Sequence, residues 1–229
     1  MEAKFSPSLM CMDFLRVQEQ VDVLNDLCDY YHADIMDGHF VKNLCLSLDF
    51  VAAVKSIAKK PIDCHLMTTN PEDYVDPLIA IGADVISPHA ETLGGQAFRL
   101  IGKIKGAGKG FGLVLNPETE LSAAKAYLGH VDLLTIMSVD PGFAGQKFID
   151  EVLDKISEAA EWKEKYGYTY EIAVDGGCNQ TTYKKLHNAG TECFIVGSSG
   201  LFGLDSNLSS AWRKMKMLFH ESIDLPAVV

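Results

Sequence analysis

The sequence predicts a single parallel (β/α)8 barrel, the TIM-barrel architecture, and three observations carry that prediction. Short β-rich runs alternate with amphipathic helical stretches from one end of the chain to the other. Polar groups of chemical interest recur at the carboxyl ends of those runs, which is where barrel enzymes keep their active sites. The Gly-x-Gly-x-x-Gly fingerprint of an open dinucleotide-binding sheet is missing after the first run, which reads Ser6-Pro-Ser-Leu-Met-Cys.

The elements follow in order. A first strand near 4–8 leads to apolar residues at helical spacing from Leu15 to Leu27. Tyr31-His-Ala-Asp-Ile-Met predicts a strand over 31–36, and Phe50 to Ala58 reads as the helix after it. The third strand is Ile-Asp-Cys-His-Leu-Met at 62–67, closed by Asn70-Pro71, a helix-entry or turn signal. A fourth strand at 85–89 precedes the amphipathic stretch Ala97 to Ile104, and a fifth occupies 111–115. Asn116-Pro117 follows it, with Glu118 and Glu120 favouring a helix N-terminus. The sixth strand, 132–137, is followed by the pattern Val152 to Tyr166; the seventh, 171–175, by Tyr183 to Ala189; the eighth lies at 193–197.

Composition agrees with one domain spanning 1–229. The chain has 229 residues, 48% apolar and 22% charged, enough to bury a large core, and no linker or low-complexity tract divides it. Its N-terminus, Met-Glu-Ala-Lys-Phe-Ser-Pro-Ser, lacks the basic and apolar regions of a signal peptide, and no apolar run approaches a membrane span. A soluble, cytoplasmic protein without a membrane partner is predicted. Six scattered cysteines with no Cys-x-x-Cys pair argue against a disulfide framework and a thiolate zinc site. A net charge of −11 without a basic stripe argues against nucleic-acid binding, so an anionic ligand must be held locally.

His32 and Asp34 are the most informative pair. In a strand, residues two apart share a face, so an imidazole and a carboxylate stand side by side. A second half-site is offered by His65, near the end of the third strand, and Asp175, which closes the seventh before two glycines. Any one of these taken alone is more often a satisfied rim or turn residue. The set is stronger, because imidazole and carboxylate groups at the ends of buried apolar strands are costly unless paired or coordinated. Two His and two Asp suit one divalent cation, whether Zn, Fe, Mn or Co.

The same alternation aims Met36 with Asp34 and Met67 with His65, while Met137 ends strand six. A lone methionine is usually gap-filling core, but three around one carboxylate cluster make a dry, polarizable wall. Ser8 follows strand one, His89 lies on strand four and Asn116 follows strand five. Glycine supplies the other half of the site. Asp140-Pro-Gly-Phe-Ala-Gly-Gln follows strand six, with Gly142, Phe143, Ala144 and Gly145 at its centre. Gly176-Gly177 follows strand seven, and Gly197-Ser198-Ser199-Gly200 follows strand eight. Each alone is compatible with a tight turn, but glycines on three neighbouring late loops predict a phosphate cradle of backbone N–H groups.

A carboxylate pair, a cation and a phosphate cradle together suggest proton abstraction next to a ketose-phosphate carbonyl. The resulting enediolate is anionic and is stabilised by positive charge. Carboxylates on opposite sides of the carbon would remove a proton from one face and deliver one to the other, inverting the centre. No nicotinamide, flavin or nucleophilic serine is required.

At these residues the chain resembles the ribulose-phosphate 3-epimerase family. The carrying segments are Tyr31-His-Ala-Asp-Ile-Met-Asp-Gly-His-Phe, Asp63-Cys-His-Leu-Met, Val139-Asp-Pro-Gly-Phe-Ala-Gly-Gln-Lys-Phe and Val174-Asp-Gly-Gly, within a similarity running from Ser6 to beyond Phe202. The resemblance implies a (β/α)8 barrel, a divalent cation held by His32, Asp34, His65 and Asp175, and Asp34 with Asp175 as paired acid and base. It also implies substrate contacts from Ser8 and His65, and phosphate contacts from Gly142 to Gly145, from Gly176 and Gly177, and from Gly197 and Ser198. A small sugar phosphate is the partner it implies, and a homo-oligomer is common among such barrels.

Within the family, His89-Ala-Glu-Thr, Gly95-Gln-Ala-Phe-Arg-Leu-Ile, Asn116-Pro-Glu-Thr, the Cys178-Asn-Gln run and Ser199-Gly-Leu-Phe are similar to the branch acting on D-allulose 6-phosphate. Lys42, Ala144 and Ser87-Pro88 depart from the wider pattern, without removing a ligand. The expected substrate pair is therefore D-allulose 6-phosphate and D-fructose 6-phosphate. D-ribulose 5-phosphate and D-xylulose 5-phosphate are the rival pair, and a non-catalytic phosphosugar-binding barrel is the reading from another class.

Overall fold

A computed structural model describes residues 2–224. Eight parallel strands alternate with helices: β1 (Lys4–Pro7), α1 (Val17–Leu24), β2 (Tyr31–Met36), α2 (Leu48–Lys55), β3 (Ile62–Met67), α3 (Glu72–Ile81), β4 (Val85–Pro88) and α4 (Ala97–Gly106) form the first half. β5 (Gly110–Leu115), β6 (Leu133–Met137), α5 (Val152–Tyr166), β7 (Glu171–Asp175), α6 (Tyr183–Ala189), β8 (Cys193–Val196) and α7 (Leu208–Asp224) form the second. The hydrogen-bonded order runs β1-β8-β7-β6-β5-β4-β3-β2, and a parallel bridge between Ser8 and His32 brings the two ends together. This is the (β/α)8 barrel that the alternation predicts.

Two layers of burial hold it. Residues facing outward from the strands, such as Phe5, Tyr31, Ile35, Leu66 and Phe194, pack against the helices in one large apolar cluster. Inside the barrel, Leu133, Ala173, Cys193 and Ile195 form a smaller plug, so the barrel is filled rather than open. Above that plug the interior turns polar, and many of its His, Asp and Ser side chains pair with one another.

Three features of the connections are informative, the first a departure from expectation. The connection after β5 contains two 3-10 turns, Leu121–Ala124 and Leu128–His130, where the acidic residues after Pro117 predict an α-helix. Glu120 makes no side-chain cap there, and the turns close through i−3 bonds such as Lys125 N–H to Ser122 O and Tyr127 N–H to Ala124 O. α3 forms despite Pro77 within it, which removes one backbone donor. α7 begins after Asn207, whose side chain accepts from Ser210 N–H. Its Phe219 sits 5.1 Å from both Phe5 and Phe194, clasping β1 to β8 from outside.

Candidate active site and metal centre

The site is a matter of register. β2 and β3 pair so that His32 stands beside Asp63, Asp34 beside His65, and Met36 beside Met67. Neighbours in a parallel ladder point to the same side, so two strands alone set six interior side chains in a two-by-three array. β7 brings Asp175 in at the same level, beside Met137 of β6.

Four predicted ligands converge. His32 Nε2 and His65 Nδ1 are 3.2 Å apart. Asp34 Oδ1 lies 3.4 Å from each of these nitrogens, and Asp175 Oδ2 lies 3.7 Å from each. A cation with ~2.1 Å bonds to four tetrahedral donors has donor–donor edges of ~3.4 Å. All four residues offer a donor atom within 4.8 Å of the others, so the set could hold a divalent cation.

Electrostatics points the same way. Both histidines are wholly buried, and burial opposes charge on His32. The carboxylates of Asp34, Asp175 and Asp63 overrule it and raise the His32 pKa well above the usual imidazole value. Burial likewise pushes Asp34 upward, but His32 and His65 outweigh it and hold that carboxyl well below its ordinary range. The cluster therefore draws positive charge into a dry place.

A surrounding layer fixes the ligands. His32 Nδ1 lies 2.9 Å from Asp63 Oδ2, while Asp63 Oδ1 accepts from the Ser87 hydroxyl. Ser87 has room only because position 112 is glycine: a Cβ there would stand 1.8 Å from Ser87 Oγ. Asp34 Oδ2 accepts from the Ser8 hydroxyl at 2.7 Å. His65 Nε2 lies 2.7 Å from His89 Nε2, and His89 Nδ1 is 3.3 Å from Glu91 Oε2. Burial, reinforced by the charge of His65, pushes His89 down to about 4 in spite of Glu91. Burial would raise Glu91, yet its contacts with His89, Thr119 and the Asn116 N–H bring it to about 2.

Above the cluster opens a cavity of about 240 Å³. Asp34 and Asp175 enter its floor, and Met36, Met67 and Met137 form its apolar wall, as the strand alternation predicts. Ser8 lines one side. Gly142, Phe143, Ala144 and Gly145 come from the loop after β6, Gly176 and Gly177 from that after β7, and Gly197, Ser198 and Ser199 from that after β8. Gly142, Gly145, Gly176 and Gly177 all have positive φ, and at Gly176 a Cβ would meet Val139 at 2.6 Å. His32 and His65 lie beneath the floor and do not line the cavity.

Sequence reasoning missed several members. Cys11, Asp140, Gln146 and Asn179 also line the cavity. Asp63, Ser87 and Glu91 make the contacts described above, although none was expected to belong to the site. For Asp63 a signal was present: Asp63-x-His65 repeats, in reverse, the spacing of His32-x-Asp34.

Comparison with known proteins agrees with this geometry. Residues 4–202 match the description of the Ribulose-phosphate 3 epimerase family. The ribulose-phosphate 3-epimerase of Mycobacterium bovis is 36% identical over 200 residues, covering 87% of this chain and 86% of its own. That of Aquifex aeolicus is 33% identical over 221 residues, covering 96% and 98%. The chloroplastic ribulose-5-phosphate-3-epimerase of Arabidopsis thaliana is 39% identical over 200 residues, covering 86% and 71%. Among solved structures, 3-hexulose-6-phosphate synthase from Salmonella typhimurium superposes with a TM-score of 0.68 at 19% identity, over 96% of this chain and 99% of its own, a likeness of fold alone. Barrel, ligand cluster and sequence similarity over most of its length lead to one conclusion: the chain belongs to the ribulose-phosphate 3-epimerase family.

Proposed function

We propose that this epimerase inverts C3 of a ketose phosphate by two-base proton transfer, with Asp34 and Asp175 as the bases. The observation that carries the reading is their placement: one on β2, one on β7, both reaching the floor of a single cavity, with β1 and β8 between them around the barrel. One carboxylate takes the C3 proton and the other returns a proton to the opposite face of the planar enediolate. His32, His65, Asp34 and Asp175 hold a divalent cation, Zn, Fe, Mn or Co, which supplies stabilisation for the negative charge the substrate gains.

The rest of the site serves that exchange. Ser8 keeps Asp34 turned toward the cavity, and the three methionines exclude water, strengthening each electrostatic contact inside. Backbone N–H groups of the glycine loops after β6, β7 and β8 receive the phosphate and align C3 with the carboxylates.

The names of the relatives favour D-ribulose 5-phosphate and D-xylulose 5-phosphate as the substrate pair. The expected preference for D-allulose 6-phosphate draws no support from those names and stands as a second reading. It rests on His89-Ala-Glu-Thr, Gly95 to Ile101, Asn116 to Thr119, the Cys178-Asn-Gln run and Ser199-Gly-Leu-Phe. A cytoplasmic location is proposed with it; the relatives include a rice protein named as a cytoplasmic isoform and the chloroplastic one above.

Turnover in deuterated water tests the chemistry, and kcat/KM on both sugar phosphates tests the substrate. Deuterium should enter C3 of the product. Full retention of the substrate hydrogen would rule out two-base exchange with solvent-equilibrated carboxylates. A higher kcat/KM on allulose 6-phosphate than on ribulose 5-phosphate would reverse the order of the two readings.

A further inference from the structure

His65 and His89 face each other through Nε2 atoms 2.7 Å apart, and both rings are wholly buried. One nitrogen must donate and the other accept, so two arrangements compete. In the first, His65 donates Nε2–H, its Nδ1 lone pair faces the ligand cluster, and His89 carries its proton on Nδ1. In the second, His89 donates, and His65 presents an N–H to the cluster, where it cannot act as a ligand. Glu91 discriminates between them. Its Oε2 stands 3.3 Å from His89 Nδ1, a contact that is attractive if that nitrogen bears hydrogen and repulsive if it bears a lone pair.

The discriminating group is itself held in place. Glu91 Oε1 accepts from the Asn116 N–H at 2.9 Å. The Phe40 ring lies 4.6 Å from the His89 ring and limits its rotation. His32 has a simpler arrangement, with Asp63 directly on its Nδ1. The two histidines thus meet the cluster through different nitrogens, Nε2 for His32 and Nδ1 for His65, and each needs the opposite tautomer.

We propose that Glu91 and His89 are positioning residues that hold His65 in the tautomer able to bind the cation through Nδ1. The inference rests on the metal reading above. Outer partners of a metal-bound imidazole typically contribute ~10–100-fold in metal affinity. His89→Phe removes the acceptor while keeping a ring and should weaken Co2+ binding by that order. His89→Gln supplies an amide oxygen toward His65 and an amide N–H toward Glu91, and should recover part of the loss. Glu91→Gln can donate or accept, no longer selects one arrangement, and should fall between wild type and His89→Phe.

The measurement is Co2+ affinity of metal-free protein by chelator competition, together with 15N NMR of the His65 ring in the Zn2+-loaded protein. The expected order is wild type, then His89→Gln, then His89→Phe, with hydrogen on His65 Nε2 in wild type. His89→Phe binding Co2+ within twofold of wild type overturns the proposal, as does equal weakening of both His89 variants with the His65 ring unchanged. If His89→Phe does not fold, the decision passes to Glu91→Gln, and affinity within twofold of wild type overturns it. Failure of wild type to bind Co2+ at all sinks the metal reading itself, and this inference with it.

Discussion

The two sides of the cavity are built on opposite principles. Across β2, β3 and β4 the working parts are side chains: His32, Asp34, Asp63, His65 and His89 are buried, and each is fixed by a neighbour. Across the loops after β6, β7 and β8 the cavity lining is largely backbone, presented by glycines at positive φ after β6 and β7 and by Gly197 after β8, and topped by Phe143, which is 53% exposed. The first wall holds charge that must not move, and its cost of burial is offset by mutual pairing. In the proposed reaction the second approaches a phosphate closely, which side chains would prevent. Damage to the first should therefore appear in kcat and metal affinity, and damage to the second in KM.

The largest effect is expected where the two proposed bases stand. Asp34→Asn and Asp175→Asn should each lower kcat by ~10²–10⁴, since an amide neither takes nor returns the proton. Metal content is measured in parallel, because both residues are also proposed ligands. Near-wild-type kcat in a metal-loaded variant would remove that residue from the acid–base role and leave the division of labour without its main support.

A smaller loss is expected one layer out. Asp63→Asn leaves His32 Nδ1 beside an amide that can donate as well as accept, and should weaken metal binding by ~10–100-fold. Chelator competition reads this directly, and an unchanged affinity would mean that packing alone orients His32.

The smallest effect sharpens the comparison from the other wall. A Cβ at Gly145 meets nothing within 4 Å, so Gly145→Ala contributes only the strain of a φ of +78°, on the order of 1 kcal/mol. KM for the sugar phosphate should rise several-fold with kcat nearly kept. A fall in kcat with KM unchanged would show that this loop acts on the chemistry and not on anchoring.

Much of the first wall was legible in the sequence because strand alternation is a local property. His32 with Asp34, and Met36 beyond them, share a face in any strand. Register is not local. That Asp63 stands beside His32, and that Ser87 reaches Asp63, depends on how β2, β3 and β4 slide past one another. Glu91 was quoted in a family-like segment, but its contact with His89 belongs to a 3-10 turn after β4 that no periodicity announces. The turns after β5 were misread because acidic residues near a helix start favour a helix only if enough helical chain follows.

The empty space at Gly112 reaches further than its own strand. Ser87 fills it, Ser87 holds Asp63, and Asp63 holds His32, so a line of dependence crosses β5, β4, β3 and β2. Positions 87 and 112 therefore cannot drift independently over evolutionary time. A methyl group at 112 would stand 1.8 Å from the Oγ and 2.7 Å from the Cβ of Ser87. It is admissible only after that hydroxyl has gone and the backbone at 87 has shifted, and loss of the hydroxyl takes a hydrogen bond from the carboxylate behind it. Descendants of this chain should accept change along that line as a linked set or not at all, an epistasis written by one missing side chain.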